Sequence, residues 1–378
     1  MNAQPPAASP LLTNCPEGLP VEAYLDPGWF AREQASIWRR HWVLVGHKSA
    51  FAEGRLELRR VGGVEVIVLR DPDGALRAFH NTCRHRGAAL CTETRADFNG
   101  RLIRCPYHAW AYDISGRLVS TGFGTPTADF DKAAHGLFPV ALTEWNGLVF
   151  LSLADDPPPF APDLGLTALD NWPMDRLVIG HRAEKELACN WKIFWENYNE
   201  CLHCPGIHPE LVDLVPVYRE GVMSEPERRD WQGGPAGPAL KPGARSWTLD
   251  GAPCGAEFEG LSAEQRAAGH TFVTIYPSCF VVAHVDYVRV VTLTALAPER
   301  TRLSAEWLFL PETLAAPGFD LENVTGFAER VIAQDGEACE LNQRGLHSPK
   351  FRAGRLMPQE FDIHRFHAWV LEALGERR

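Results

Sequence analysis

No apolar run in this 378-residue sequence approaches the roughly 20 residues that cross a bilayer, so a membrane-spanning helix is not expected. Basic residues are in deficit. Thirty-seven Lys and Arg face 48 Asp and Glu, a formal net charge of -11. A chain of that sign repels phosphate backbones, and nucleic acid is not an expected partner. Met1 to Pro10 shows no basic stretch leading into an apolar one, so no secretory leader is expected and a cytoplasmic location is. In that setting the ten scattered cysteines read as reduced thiols and metal ligands rather than a disulfide framework. No internal repeat and no low-complexity tract is present.

What is present is ample core material: 45% hydrophobic residues, 22% charged, and length enough for two domains. Residues 1–20 are rich in Pro and Ala and read as an arm. Asp26 followed by Pro27 is a helix start, predicting a helix over Pro27–His41. From Leu56 to Leu153, short β-branched runs alternate with turn signals at Gly62-Gly63, Asp71–Gly74, Asn99-Gly100, Ser115-Gly116 and Asn146-Gly147. That pattern predicts a small antiparallel β domain, closed by the stiff Asp155–Pro159 boundary. The remainder reads as α+β. Helices are expected over Trp191–Cys204, broken by Pro205-Gly206, and over Leu321–Gln343, stopped by Gly345. Strands are expected at Thr271–Ile275, Cys279–His284, Val288–Ala297 and Arg302–Leu310, with a long loop over residues 221–260. The expected organisation is an arm and helix (1–44), a β domain (45–155) and an α+β domain (156–378).

Two constellations carry chemistry. In the β domain, Cys83-Arg84-His85 is followed after nineteen residues by Cys105-Pro106-Tyr107-His108. Each half offers one thiolate and one imidazole. A Rieske [2Fe–2S] cluster needs two cysteines on one iron and two histidines on the other. A Cys₂His₂ zinc site is the competing reading, but its cysteines come as one pair and its histidines as another, on a helix. Here Cys and His alternate between strands, which favours the cluster. In the α+β domain, Glu196, Glu200 and His203 fall on one face of the expected helix, and Pro205-Gly206 can return His208 toward His203. Two histidines and a carboxylate form the facial triad of non-haem Fe(II) oxygenases. Glu200 is the obvious local carboxylate.

The runs Cys83-Arg84-His85-Arg86-Gly87 and Arg104-Cys105-Pro106-Tyr107-His108-Ala109-Trp110 closely resemble the Rieske domain of ring-hydroxylating and related oxygenases. Respiratory Rieske proteins carry an additional cysteine in each loop, where this chain has Ala88 and Tyr107. The resemblance extends over residues 20–370 and is weakest near 221–260. It implies an all-β Rieske domain followed by a catalytic domain of helix-grip type, an antiparallel sheet flanked by helices. It further implies a mononuclear iron held by His203, His208 and a distant C-terminal aspartate. The run Gln334-Asp335-Gly336 points to Asp335, with Glu337, Glu340 and Asp362 as nearby competitors. Glu200 then takes the position that bridges to a Rieske histidine of a neighbouring subunit in a head-to-tail homotrimer. Electrons would come singly from NAD(P)H through a separate flavin/iron–sulfur reductase, and O₂ would be the co-substrate of a small molecule.

Many ring-hydroxylating enzymes have Asp where this chain has Glu200. The pattern from Asn197 to His208 is similar to the subgroup that oxidises quaternary ammonium compounds such as glycine betaine, which implies monooxygenation with N-demethylation. Ring dihydroxylation, O-demethylation and simple electron transfer are the alternatives. A quaternary ammonium is held by aromatic faces. The candidates are Phe194, Trp195, Tyr198, Phe272, Tyr276, Phe280, Tyr287 and Trp307, with His284 and Arg289 as partners for a carboxylate.

Overall fold

The computed structural model describes residues 10–98, 101–162, 165–228 and 237–376. Two compact units result: Trp38–Pro162, and Met1–Ile37 together with Asp163–Arg378. The division therefore falls a few residues from the expected boundaries. The N-terminal segment joins the second unit instead of standing apart. Among the described residues no helix is long and apolar enough to cross a membrane.

The smaller unit is built from three antiparallel sheets. One orders Leu76–His80, Val64–Arg70, Arg55–Val61 and Arg95–Asp97; another pairs Ala141–Trp145, Leu148–Ser152 and Val43–His47; the third is Leu102–Arg104, Ala111–Asp113 and Leu118–Ser120. The turn signals lie where the chain reverses. Asn146 and Gly147 both have positive φ (45° and 86°), as a two-residue hairpin requires. The Asn99-Gly100 signal lies outside the described residues.

The larger unit carries a five-stranded antiparallel sheet in the order Val178–Leu187, Arg300–Phe309, Val288–Ala297, Cys279–His284, His270–Ile275. Its first strand is absent from the sequence reading because His181, Arg182, Glu184, Lys185 and Glu186 make it look like a solvated loop. It is an edge strand, where charge is favoured, and Arg182 and Arg302 pair across it with Glu306 and Glu186. The long helix runs Leu321–Leu346, through Gly345 rather than stopping there. A glycine inside a helix costs at most about 1 kcal/mol relative to alanine, and Gly345 lies in the last turn, beside the buried Leu346. A C-terminal helix, Phe361–Ala373, was not anticipated, and neither was the pairing of Glu17–Pro20 with Ala353–Arg355 that ties down part of the expected arm.

The N-terminal helix is Pro27–Glu33, capped by the Asp26 side chain and continued by a π-helical turn over Gln34–Trp38, shorter than expected. It is locked to the helix Trp191–Tyr198 by a buried ion pair. Lys192 Nζ donates to Glu33 Oε1 at 2.6 Å, Trp191 Nε1 donates to Glu33 Oε2 at 2.8 Å, and both charged side chains are fully buried. Removing one partner leaves a buried charge without its ion-pair partner. Glu33→Gln is expected to lower the unfolding free energy by about 3–5 kcal/mol, read as a denaturant midpoint shift. Adding Lys192→Met should recover much of the loss. A cost below about 1 kcal/mol for Glu33→Gln would show that the pair does not anchor the segment.

Candidate metal centres

In the smaller unit two loops share one backbone plan. In the first, Cys83 N–H donates to Ala88 O (2.8 Å) and Gly87 N–H to Cys83 O (2.9 Å); in the second, Cys105 N–H donates to Trp110 O (2.8 Å) and Ala109 N–H to Cys105 O (3.1 Å). The fourth residue after each cysteine is left-handed: Gly87 at φ 78° and Ala109 at φ 59°. The loops are conformational copies, each presenting a cysteine at its base. Asn81 staples the first, its Oδ1 accepting from Leu90 N and Cys91 N at 2.9 Å.

Cys83 and Cys105 are buried, whereas the His85 and His108 rings lie outward, their centroids 4.7 Å apart. His85 stacks on Trp110 at 4.8 Å with an interplanar angle of 7°. Tyr112 Oη lies 3.1 Å from Cys83 Sγ. Burial raises the Cys83 thiol above its ordinary range, and Tyr112 acts against that shift. Two sulfurs inside and two imidazoles outside are the donor set a [2Fe–2S] cluster of Rieske type requires. A hydroxyl beside a ligating sulfur would stabilise the thiolate.

In the larger unit, Asn190 caps the helix Trp191–Tyr198 through Lys192 N–H. That helix ends at Tyr198, six residues earlier than expected. Asn199 is the C-cap, and its amide donates to Tyr276 Oη at 2.8 Å. Glu196, Glu200 and His203 therefore do not share a helical face. Glu196 instead accepts from His367 Nε2 at 2.8 Å. Pro205 does not break a helix. It stands in the first turn of the short helix Cys204–Ile207, where its missing N–H costs nothing. Cys201 and Cys204 are joined by a disulfide with Cα atoms 5.0 Å apart, contrary to the expectation of reduced thiols throughout. The tight turn after Tyr198, with Cys204 N–H donating to Cys201 O, brings them together.

This turn aims His203 and His208 at the long helix. His208 Nε2 lies 2.9 Å and His203 Nε2 3.4 Å from Asp335 Oδ1, and the three ligand atoms all lie within 4.8 Å of one another. A divalent first-row ion about 2.1 Å from nitrogen and oxygen donors places neighbouring donors roughly 3 Å apart when they sit at right angles. The set thus fits a facial triad with open positions. The outer ring nitrogens are also engaged. Glu200 Oε1 accepts from His203 Nδ1 at 2.5 Å, and Gln334 Oε1 accepts from His208 Nδ1 at 2.8 Å. Both bonds place a proton on Nδ1, so Nε2, turned toward Asp335, is the nitrogen that would face a metal. Burial alone would lower His203, but Asp335 and Glu200 outweigh it and push it to about 9. Gly336 allows the helix to lie close to the sheet, since a Cβ there would meet Leu187 Cδ2 at 2.8 Å. Of the competing carboxylates, Glu337 is exposed, Glu340 accepts from Ala188 N–H, and Asp362 pairs with Arg365.

A cavity of about 90 Å³ adjoins these three residues. Phe194, Tyr198, Phe272 and Phe280 line it, as the aromatic content of these segments suggested, but Trp195, Tyr276, Tyr287 and Trp307 do not. Tyr218 and Trp247 complete the wall and escaped the sequence reading. They fall in or beside a stretch without periodicity, where no residue announces its direction.

Residues 174–376 match the catalytic domain of ring-hydroxylating α subunits, and residues 41–130 match the Rieske [2Fe–2S] domain. The glycine betaine monooxygenase oxygenase subunit of Chromohalobacter salexigens is 31% identical, across 95% of this chain and 86% of that one. The chloroplastic choline monooxygenase of Beta vulgaris is 27% identical, across 94% and 76%. A crystal structure of the quaternary ammonium Rieske monooxygenase CntA has the same fold, with a TM-score of 0.74 at 20% identity and 96% of each chain covered. By its own match to the catalytic and cluster-binding domains, the chain belongs to the α subunits of the Rieske-type ring-hydroxylating oxygenases, iron-dependent oxidoreductases.

Proposed function

We propose that this protein is the oxygenase component of a multicomponent monooxygenase that N-demethylates a small quaternary ammonium compound, glycine betaine being the leading candidate. The observation that carries the reading is the aromatic wall beside His203, His208 and Asp335. Tyr198 and Phe280 have ring centroids 4.2 Å apart, Phe194 stacks on Phe280 at 6.2 Å, and Trp247 meets Phe272 edge-on at 5.8 Å. A trimethylammonium group has no N–H to donate and is held by such π faces. The cavity's volume suits a ligand of few heavy atoms.

In this reading Cys83, Cys105, His85 and His108 hold the cluster, and His203, His208 and Asp335 hold the mononuclear iron. The cluster would supply electrons one at a time, and the iron would supply O₂ activation. Glu200 and Gln334 keep the two imidazoles in the tautomer that leaves Nε2 free. Glu200 also serves as the link from His203 to His85 or His108 of a neighbouring subunit in a head-to-tail homotrimer. A separate flavin/iron–sulfur reductase delivers electrons from NAD(P)H. The aromatic wall orients one N-methyl group and excludes water from it. Two electrons, two protons and one O₂ hydroxylate that methyl group and release water. The N–C bond of the hydroxymethyl ammonium then breaks, giving a tertiary amine, formaldehyde and a proton.

The test supplies the purified protein with a surrogate reductase and NADH and offers glycine betaine, carnitine, choline and naphthalene. Formaldehyde formed in step with NADH oxidation from a methylammonium substrate is the expected result. A cis-diol from naphthalene, with no turnover of the ammonium compounds, would replace this reading by ring dihydroxylation.

A further inference from the structure

Among the described residues, a charge on the cavity wall has no hydrogen-bond or ion-pair partner. Arg289 lies on the strand Val288–Ala297 and lines the cavity together with His203, His208 and Asp335. The sheet register sets its direction. Phe272 pairs with Val282, and Val282 with Arg289, so Phe272 and Arg289 stand in one cross-strand row on one sheet face. Phe280, two residues from Val282 on the same strand, shares that face.

Arg289 is 6% exposed, and among the described residues its guanidinium makes no hydrogen bond or ion pair; Nε is buried without an acceptor. Its electrostatic neighbours are Tyr287, Tyr198 and Asp335. The tyrosine hydroxyls carry no charge, and the Asp335 carboxylate is engaged by His203 and His208. A guanidinium cannot shed its proton, and buried charges are ordinarily paired. Trp247, also on the cavity wall, has an indole Nε1 buried without an acceptor. His284, the other candidate partner for a carboxylate, does not line the cavity and stacks on Tyr287 instead.

Resting on the quaternary ammonium reading above, we propose that Arg289 is a specificity-determining residue that binds the carboxylate of a zwitterionic substrate. The pocket then selects betaines over quaternary ammonium alcohols. The aromatic rings take the cationic end and Arg289 the anionic end, which fixes which end of the molecule faces the triad. The names of related enzymes include both glycine betaine and choline, so this discrimination comes from the pocket itself.

The test is anaerobic calorimetric titration of the iron-loaded protein with glycine betaine, its methyl ester and choline, on wild type, Arg289→Gln and Arg289→Lys. Wild type should prefer glycine betaine over the ester by at least about tenfold. Arg289→Gln should bring that ratio to about one, and Arg289→Lys should restore part of it, since lysine keeps the charge without the planar fork. Because an unpaired buried charge opposes folding, substrate-free Arg289→Gln should melt at or above wild type. An unchanged ratio in Arg289→Gln, or a lower melting point with equal losses for all three probes, would overturn the clamp. Wild type that binds the ester as well as the acid sinks the clamp alone. Wild type that binds none of the three sinks the functional reading and the clamp with it.

Discussion

Replacing Asp335 with alanine should remove the mononuclear iron and abolish turnover while leaving the cluster's visible spectrum intact. The carboxylate is the only group among the described residues that completes a triad with His203 and His208, and it comes from a helix far along the chain. Outer-shell partners of a metal typically contribute 10- to 100-fold in affinity or activity. Loss of a direct ligand should therefore cost more than roughly 100-fold. Iron content should fall from about three per chain to about two, the number the cluster alone requires. Glu337→Ala and Glu340→Ala should keep all three irons, since neither side chain reaches the histidines. A third iron retained in Asp335→Ala and lost in Glu340→Ala would reassign the ligand.

The same site predicts a pH dependence. His203 is pushed up to about 9 in the metal-free protein, because Asp335 and Glu200 together outweigh the effect of burial. Its Nε2 can bind iron only after the ring loses a proton. Loading thus competes with protonation at every pH below the raised value. Apparent affinity for Fe(II), measured anaerobically, should climb roughly tenfold per pH unit between about 7 and 9 and then level off. A flat profile over that interval would mean that the ring is already neutral.

The second large effect concerns the cluster. His85→Ala, His108→Ala, Cys83→Ser or Cys105→Ser should each bleach the visible absorbance of the [2Fe–2S] centre, because one of the two irons then lacks one of its two protein ligands. Cys91→Ser is the informative control. Cys91 is as buried as Cys83, but its sulfur donates to the Glu93 carbonyl and lies off the two copied loops. It should keep the spectrum, as should Cys189→Ser and His203→Ala. An intact spectrum in His85→Ala would remove the ligand assignment, and a wild-type protein that holds zinc and shows no visible absorbance would return the Cys₂His₂ zinc reading.

Much of this protein is legible in its sequence because the deciding interactions are local. The cluster loops are five-residue turns whose cysteine and histidine positions follow from short-range backbone geometry. The four inner and distal sheet strands from His270 to Phe309 announce themselves by β-branched runs between turns. His203 and His208 are close enough in sequence for one short turn to bring them together.

The rest depended on contacts that no local pattern encodes. Where the helix after Asn190 ends was decided by Asn199 turning to Tyr276, so the expected face of Glu196, Glu200 and His203 dissolved, and only the last two remain in contact. That Asp335 meets His203 and His208 while Glu337 and Glu340 do not came from the rotation and close approach of one helix against a sheet edge, which Gly336 permits. Trp247 and Tyr218 became walls of the cavity by packing in one cluster with Cys201, Cys204 and Val331, which no local pattern announces. Arg289 occupies a strand position that a two-residue period places on one face or the other with equal ease. Strand pairing with Val282 and Phe272 put it on the face that lines the cavity beside His203, His208 and Asp335. Sequence spacing governs groups that a turn can bring together, whereas partners separated by a hundred residues meet only when sheet register and helix packing close the distance.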